Sequence, residues 1–204
     1  MSELPDVSGD TLVQAQELYK KNKDTGRPVM AVFVADVSGS MSGAPLAELQ
    51  ASLVNSMRYI NTENYVGLVS YADYVTINLP IGKFDLNQQA LFKGAVESLR
   101  AAGGTATYDA IIVAADMLTK AVADSEDAKP MIFVLSDGET NQGYVDFEPM
   151  KEVIGGLHIP VYTIGYNANI SALQQISSIN EAASIDASTD DVTYQLKNLF
   201  NANM

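Results

Sequence analysis

Cysteine is absent from the 204-residue sequence, and positive charge, histidine and long apolar runs are scarce. Without cysteine the chain has no disulfide, no zinc–thiolate site and no cysteine nucleophile. The 12 Lys and Arg residues face 25 Asp and Glu residues, giving a formal net charge of −13. That balance excludes nucleic-acid binding, which needs a basic face. The longest apolar run, residues 29–35, is far shorter than the roughly 20 residues of a membrane-spanning helix, so direct membrane insertion is excluded as well.

The N-terminus has neither the positive flank nor the apolar core of a signal peptide. As written, the chain is therefore expected in the cytoplasm, with a domain cut from a secreted or cell-surface protein as the alternative. Residues 1–27 are expected to form an N-terminal helical extension, because apolar side chains in 11–23 share one helical face. Residues 28–204 contain no linker, repeat or low-complexity tract, so we expect them to form one domain.

Short apolar runs alternate with stretches of helical periodicity along residues 28–204. The runs at 29–35, 131–135 and 161–164 predict strands that are buried on both faces. The segments 66–71 and 75–79 predict two further strands, which must be antiparallel because the turn between them is so short. Residues 182–185 have the character of an edge strand.

Helices are expected wherever apolar residues recur three or four positions apart. One begins at Pro45, and another begins at Asp85 and Gln88, which form a capping-box pattern, and continues through Leu91, Ala95 and Leu99. The remaining helical stretches follow residue 104, surround 150–154, lie near 173–179 and close the chain at 192–200.

This alternation predicts an α/β fold of the Rossmann-like, doubly wound class. Its central sheet should have about six strands, mostly parallel with one antiparallel edge strand, and helices on both faces. In such sheets, ligands bind outside the carboxyl ends of the strands, where the winding direction reverses. The residues that follow each apolar strand are therefore the candidates for a functional site.

Carboxylates and hydroxyls, with no imidazole or thiol, follow these strands. Asp36-Val37-Ser38-Gly39-Ser40 follows the first strand, Ser136-Asp137-Gly138 follows the strand at 131–135, and Gly103-Gly104-Thr105 precedes a helix. In an extended loop every second side chain points the same way, so Asp36, Ser38 and Ser40 are expected to converge. Hard oxygen ligands of this kind suit magnesium, calcium or manganese.

These three segments, in this order and at these positions, resemble the von Willebrand factor type A (VWA) domain, of the bacterial type. The resemblance covers residues 28–204 almost completely. It implies a metal-ion-dependent adhesion site (MIDAS). The resemblance implies five metal-site residues: Asp36, Ser38, Ser40, Thr105 and Asp137. The two serines would bind the ion directly, Thr105 would join when a ligand is engaged, and the aspartates would bind directly or through water. Thr107 is the alternative to Thr105.

The function that the resemblance implies is divalent-metal-dependent protein–protein recognition, in adhesion or assembly, with no catalysis. The ion would be Mg²⁺, with Mn²⁺ or Ca²⁺ as alternatives, and a Glu or Asp of a partner protein would complete its coordination. A regulatory subunit working beside an AAA-type ATPase is the alternative, and a metal-dependent phosphotransferase or hydrolase is a weaker one.

Two features argue against catalysis. The only histidine, His158, precedes a strand and so lies at the opposite end of the sheet from the candidate site. Ser38 stands where an aspartyl phosphotransferase has its second acid, so a leaving group would lack a general acid. We therefore predict that the chain is not an enzyme.

Other polar residues near these segments have more than one interpretation. Glu139 and Asn141 are expected at the rim of the site, and Asp109 either supports it or is simply solvated. Asp73 is most simply a turn residue. Five tyrosines at or near predicted element ends either form a partner-binding rim or are partly buried: Tyr71, Tyr74, Tyr108, Tyr144 and Tyr166.

Overall fold

A computed structural model describes residues 27–125, 127–138, 143–166, 170–187 and 191–201. The N-terminal extension lies outside these residues, apart from Arg27, and so do Glu139 and Asn141.

A six-stranded sheet forms the centre of the fold. Its strands are β1 (Val29–Asp36), β2 (Tyr65–Tyr71), β3 (Val75–Lys83), β4 (Lys129–Ser136), β5 (Val161–Gly165) and β6 (Ser184–Asp186). They lie in the order β3-β2-β1-β4-β5-β6. Only the β2–β3 pair is antiparallel, and the other four pairs are parallel. The predicted sheet, with its antiparallel edge strand, is confirmed.

Helices cover both faces of the sheet. They are α1 (Ala44–Ser56), α2 (Leu86–Glu97), α3 (Thr107–Val122), α4 (Phe147–Leu157), α5 (Ile170–Ser177) and α6 (Val192–Asn201). The carboxylate of Asp85 caps α2 by accepting the N–H of Gln88 at 2.8 Å. The Gln88 side chain instead donates to the carbonyls of Val66 and Pro80, so only half of the predicted capping box forms.

The buried face of α2 differs from the predicted one. Leu91 is 50% exposed, whereas Phe92 and Val96 are fully buried. The ring of Phe92 lies 5.6 Å from that of Phe33 in the core and 5.8 Å from that of Phe84. Because an aromatic ring buries more apolar area than leucine, the helix presents Phe92 to the sheet. Local periodicity cannot distinguish these two faces.

Two apolar cores flank the sheet. One face packs against α1, α2 and α6, and there the rings of Phe33, Phe133 and Phe200 form a mutual cluster with centroid distances of 5.2 to 6.1 Å. The other face packs against α3, α4 and α5. Every residue of β1 is buried. The chain winds outward from β1 in both directions, so the crevice at the carboxyl ends of β1 and β4 is where a ligand is expected.

Candidate metal centre

Asp36 is the last residue of β1 and is completely buried. Both of its carboxylate oxygens accept hydrogen bonds. Oδ1 accepts the backbone N–H of Ser38 at 2.9 Å, and Oδ2 accepts the hydroxyl of Ser136 at 2.6 Å. The carboxylate is therefore held at the carboxyl edge of the sheet by the loop that follows β1 and by the end of β4.

The two serines of this loop come together as the alternation predicts. The hydroxyl oxygens of Ser38 and Ser40 are 3.1 Å apart. Ser38 is buried, while Ser40 is exposed in a single 3-10 turn, Gly39–Met41. Two neutral oxygens thus lie side by side, one facing the interior and one near solvent.

Asp137 lies beside Asp36 because β1 and β4 are parallel neighbours. Ala35 pairs with Leu135, so Asp36 and the Ser136-Asp137 segment leave the sheet together. Asp137 is only 6% exposed. Two largely buried acids from distant parts of the chain therefore share this edge.

The electrostatic environment of Asp36 is unfavourable to its negative charge. Burial raises the pKa of this carboxyl, the hydrogen bonds from Ser136 and Ser38 lower it to a smaller extent, and the charge of Asp137 raises it further. Within the described ranges, no lysine or arginine forms an ion pair with Asp36. A bound cation would offset this clustering of negative charge.

The loop that carries Thr105 packs against the serine loop. Gly39 N–H donates to the Gly103 carbonyl at 2.9 Å, and Ala102 N–H donates to the Val37 carbonyl at 2.8 Å. Thr105 itself is 6% exposed. These backbone bonds hold the start of the loop, residues 102–103, against the Asp36–Ser40 segment.

The two threonines of this loop have different settings. Thr105 is not the N-cap of α3, since that position is Ala106 and no side chain caps the helix. Thr107 is the first residue of α3, and its buried hydroxyl, close to that of Tyr71, has no hydrogen-bond partner among the described residues. Whether Thr105 or Thr107 contacts a metal stays a prediction.

Sequence reasoning named Ser136 and Tyr71 but gave Ser136 no role of its own and left Tyr71 as a rim or partly buried residue. Ser136 donates to Asp36 and accepts the N–H of Gly138 at 2.9 Å. Tyr71 ends β2, and its pKa is raised by burial and then by the charge of Asp36. The register of β1 against β4 places Ser136 beside Asp36, and local sequence patterns do not determine that register.

The remaining polar candidates differ in their contacts and in their exposure. Asp109, in the first turn of α3, accepts the N–H groups of Tyr144 and Val145 at 3.0 and 2.8 Å, so it is not merely a solvated residue. His158 is exposed and follows α4 at the opposite end of the sheet. Of the five tyrosines, Tyr74 and Tyr144 are exposed, whereas Tyr71 and Tyr166 are buried. Tyr108 is intermediate.

The donor set fits a hard divalent cation. In the part of the chain that the structure describes, no three His, Asp or Glu side chains are grouped as metal ligands. A metal at this edge would therefore depend on hydroxyl oxygens as well as the two carboxylates. Oxygen-only donors with few carboxylates suit Mg²⁺, which keeps several waters when bound, whereas zinc and copper prefer nitrogen or sulfur.

The family follows from the match of residues 31–202 to the von Willebrand factor type A domain. The chain belongs to this family. VWA domains commonly mediate protein–protein interactions, and many of them bind a divalent metal at a MIDAS. None of the helices within the described residues is long and apolar enough to cross a membrane.

Curated relatives of this VWA domain are much longer proteins. Inter-alpha-trypsin inhibitor heavy chain H3 from Bos taurus is 27% identical over 155 residues, which are 71% of this chain and 17% of that protein. Voltage-dependent calcium channel subunit alpha-2/delta-2 from Homo sapiens is 23% identical over 158 residues, covering 76% of this chain and 14% of that protein. The chain thus spans about one sixth of their length.

Solved structures share the fold. A von Willebrand factor type A protein from Catenulispora acidiphila superimposes with a TM-score of 0.70 at 19% identity, covering 87% of this chain and 43% of that one. The vWF domain of a type V pili tip protein from Porphyromonas gingivalis gives a TM-score of 0.70 at 13% identity, covering 86% and 96%. At such identities the likeness establishes the fold alone.

Proposed function

We propose that this VWA domain recognises a partner protein through a divalent metal ion held at the carboxyl ends of β1 and β4. The observation that carries the proposal is that two largely buried acids, Asp36 and Asp137, lie at one edge of the sheet beside two converging serine hydroxyls. Such an arrangement costs stability unless a cation binds it.

Each residue of the centre has a distinct part in this proposal. Ser38 and Ser40 would hold the ion through their hydroxyls, Asp36 and Asp137 would hold it directly or through water, and Thr105 would join when a partner is engaged. The ion supplies the positive charge that attracts a carboxylate. Because hydroxyl ligands add no negative charge, a site of this kind keeps its affinity for an incoming Glu or Asp. Mg²⁺ is the preferred ion, and Mn²⁺ and Ca²⁺ are the alternatives.

The net charge of the chain makes the metal essential to this recognition. At −13, the domain repels acidic groups at long range. A partner carboxylate therefore binds only where a cation reverses the local charge, and binding should be abolished by a chelator. The partner's remaining surface charge should be neutral or basic.

Similarity to one solved fold favours a recognition role. Similar folds include the tip protein of a pilus, which is consistent with a role in adhesion or assembly.

Selection of peptides from a random library tests the proposed function. The domain is immobilised in Mg²⁺, and bound peptides are released with a chelator. We expect the released peptides to share an Asp or Glu whose replacement by Asn or Gln abolishes binding. The Asp36→Asn domain should select none of them, while Asp85→Asn, which alters a helix cap far from the centre, should select the same set. Released peptides that share no acidic residue, or bound peptides that the chelator fails to release, would contradict the proposal.

A further inference from the structure

The turn between β2 and β3 lies against the loop that carries Thr105. Ala106 N–H donates to the carbonyl of Ala72 at 2.8 Å, and Gly104 N–H donates to Oδ1 of Asp73 at 2.9 Å. These are the residues on either side of Thr105. The β2–β3 turn therefore fixes the backbone immediately before and after the candidate threonine ligand.

The Asp73 carboxylate lies against both glycines of this loop. While Oδ1 accepts the Gly104 amide, Oδ2 lies so close to Gly103 that a Cβ at that position would be 2.6 Å away. Gly103 also has a φ of +91°, a conformation that side-chain-bearing residues rarely adopt. The close approach of Asp73 is thus a second reason for glycine at position 103.

The same loop is held from its other side by the serine loop. The carbonyl of Gly103 accepts the N–H of Gly39, which lies between Ser38 and Ser40. The Gly103–Gly104 segment is therefore hydrogen-bonded on one side to the β2–β3 turn and on the other to the segment that carries the serine hydroxyls. Substitution of Asp73 by a residue without a side-chain oxygen would remove the hydrogen bond that holds this segment to the β2–β3 turn.

We propose that Asp73 is a positioning residue of the metal centre, which acts by holding Thr105 in place to coordinate the ion. This inference rests on the proposed function, in which Thr105 takes part in metal coordination. Asp73 is exposed and acts through the Gly103–Gly104 backbone, without contacting the ion. The sequence alone predicted only a turn residue here.

A positioning role and a charge effect make different predictions for two substitutions. Asp73→Asn removes the negative charge but keeps a side-chain oxygen that can accept the Gly104 N–H. Asp73→Ala removes both. If Asp73 attracted the cation only by charge, the two variants would lose the same affinity. If it positions the loop, Asp73→Asn should retain most of the affinity that Asp73→Ala loses.

The experiment measures Mn²⁺ affinity by electron paramagnetic resonance, with excess acetate as the carboxylate that engages the ion. Groups that orient metal ligands contribute about 10- to 100-fold to affinity, so Asp73→Ala should bind Mn²⁺ at least about tenfold more weakly than wild type. Asp85→Ala is the matched control, because it also removes one charge and one carboxylate–amide bond, at the opposite end of the sheet. It should bind like wild type.

Thr105→Val establishes whether Asp73 acts through the threonine. Residues that act as a unit show non-additive effects, so the double variant Asp73→Ala/Thr105→Val should bind Mn²⁺ no more weakly than Thr105→Val alone. Circular dichroism confirms that each variant is folded. Affinity of Asp73→Ala equal to that of Asp85→Ala, or additive losses in the double variant, would overturn the role of Asp73 and leave the metal centre intact. Absence of Mn²⁺ binding by wild type would overturn the centre itself, and this inference with it.

Discussion

The hydroxyl of Ser136 donates a 2.6 Å hydrogen bond to Oδ2 of Asp36, although 100 positions separate the two residues in the chain. The same hydroxyl oxygen accepts the N–H of Gly138 at 2.9 Å. Ser136 therefore joins the carboxylate at the end of β1 to the turn after β4, which contains Asp137. One hydroxyl thus contacts both of the segments that carry the acids of the centre.

Replacement of this serine should weaken metal binding without unfolding the protein. Ser136→Ala removes a donor that orients Asp36, so we expect Mn²⁺ affinity to fall by about tenfold or more. Ser98→Ala is a suitable control, since it removes a hydroxyl that donates to the Gly94 carbonyl on an exposed part of α2. Titration of both variants measures the effect. Equal affinity in the two would show that Ser136 has no orienting role.

Metal should stabilise the wild-type protein and not the Asp36→Asn variant. A ligand at a hundredfold excess over its dissociation constant raises the free energy of unfolding by about 2.7 kcal/mol. In chelator, Asp36→Asn should be as stable as wild type or slightly more so, because it removes a buried charge that faces Asp137. Urea denaturation with Mg²⁺ and with chelator measures both quantities. A metal-induced gain that persists in Asp36→Asn would place the ion elsewhere.

Tyr166 should contribute to the loss of stability at alkaline pH. Burial raises its pKa well above the ordinary value, and its hydroxyl has no hydrogen-bond partner among the described residues. The unfolded chain releases this proton near pH 10, whereas the folded protein retains it to higher pH. The contribution of protonated Tyr166 to the free energy of unfolding is therefore complete below pH 10 and decreases as the pH rises above 10.

Tyr166→Phe tests this alkaline contribution. The variant should match wild type at neutral pH, since the ring is kept and an unpartnered polar atom is removed. Above pH 10 it should lose less free energy of unfolding than wild type does. Denaturant titrations across that range give the comparison, and identical pH dependence in the two proteins would refute the assignment.

Phe200 should be essential to the core that α6 closes. Its ring lies 5.6 Å from that of Phe133 and 6.1 Å from that of Phe33, and the residue is 5% exposed. Truncation of a buried phenylalanine to alanine costs about 3–5 kcal/mol, and Phe200→Ala should lie in that range. Tyr194→Ala, on the exposed face of the same helix, should change the free energy of unfolding by less than about 1 kcal/mol. Similar losses in both variants would contradict this packing.

The sequence predicted the parts of the site that depend on local pattern. Apolar runs located the buried strands, and the polar residues after them fell at one edge of the sheet because parallel strands end together. The alternation from Asp36 to Ser40 likewise predicted the convergence of the serine hydroxyls, which lie 3.1 Å apart.

Features that depend on pairing between distant segments could not be predicted in this way. The contact of Ser136 with Asp36 requires the register of β1 against β4, and that of Asp73 with Gly104 requires the packing of one loop on another. Asp109 could be placed on a helix from its periodicity, but the loop that its carboxylate holds is a tertiary neighbour.

Isothermal titration calorimetry of Mg²⁺ into metal-free protein measures whether Asp36 and Asp137 hold an ion. Wild type and Asp85→Asn should each bind one ion with the same affinity, in buffer containing acetate to supply the partner's carboxylate. Asp36→Asn and Asp137→Asn, folded by circular dichroism, should bind none. Absence of binding by wild type in acetate, or undiminished binding by either of those two variants, would contradict a metal centre at the carboxyl ends of β1 and β4.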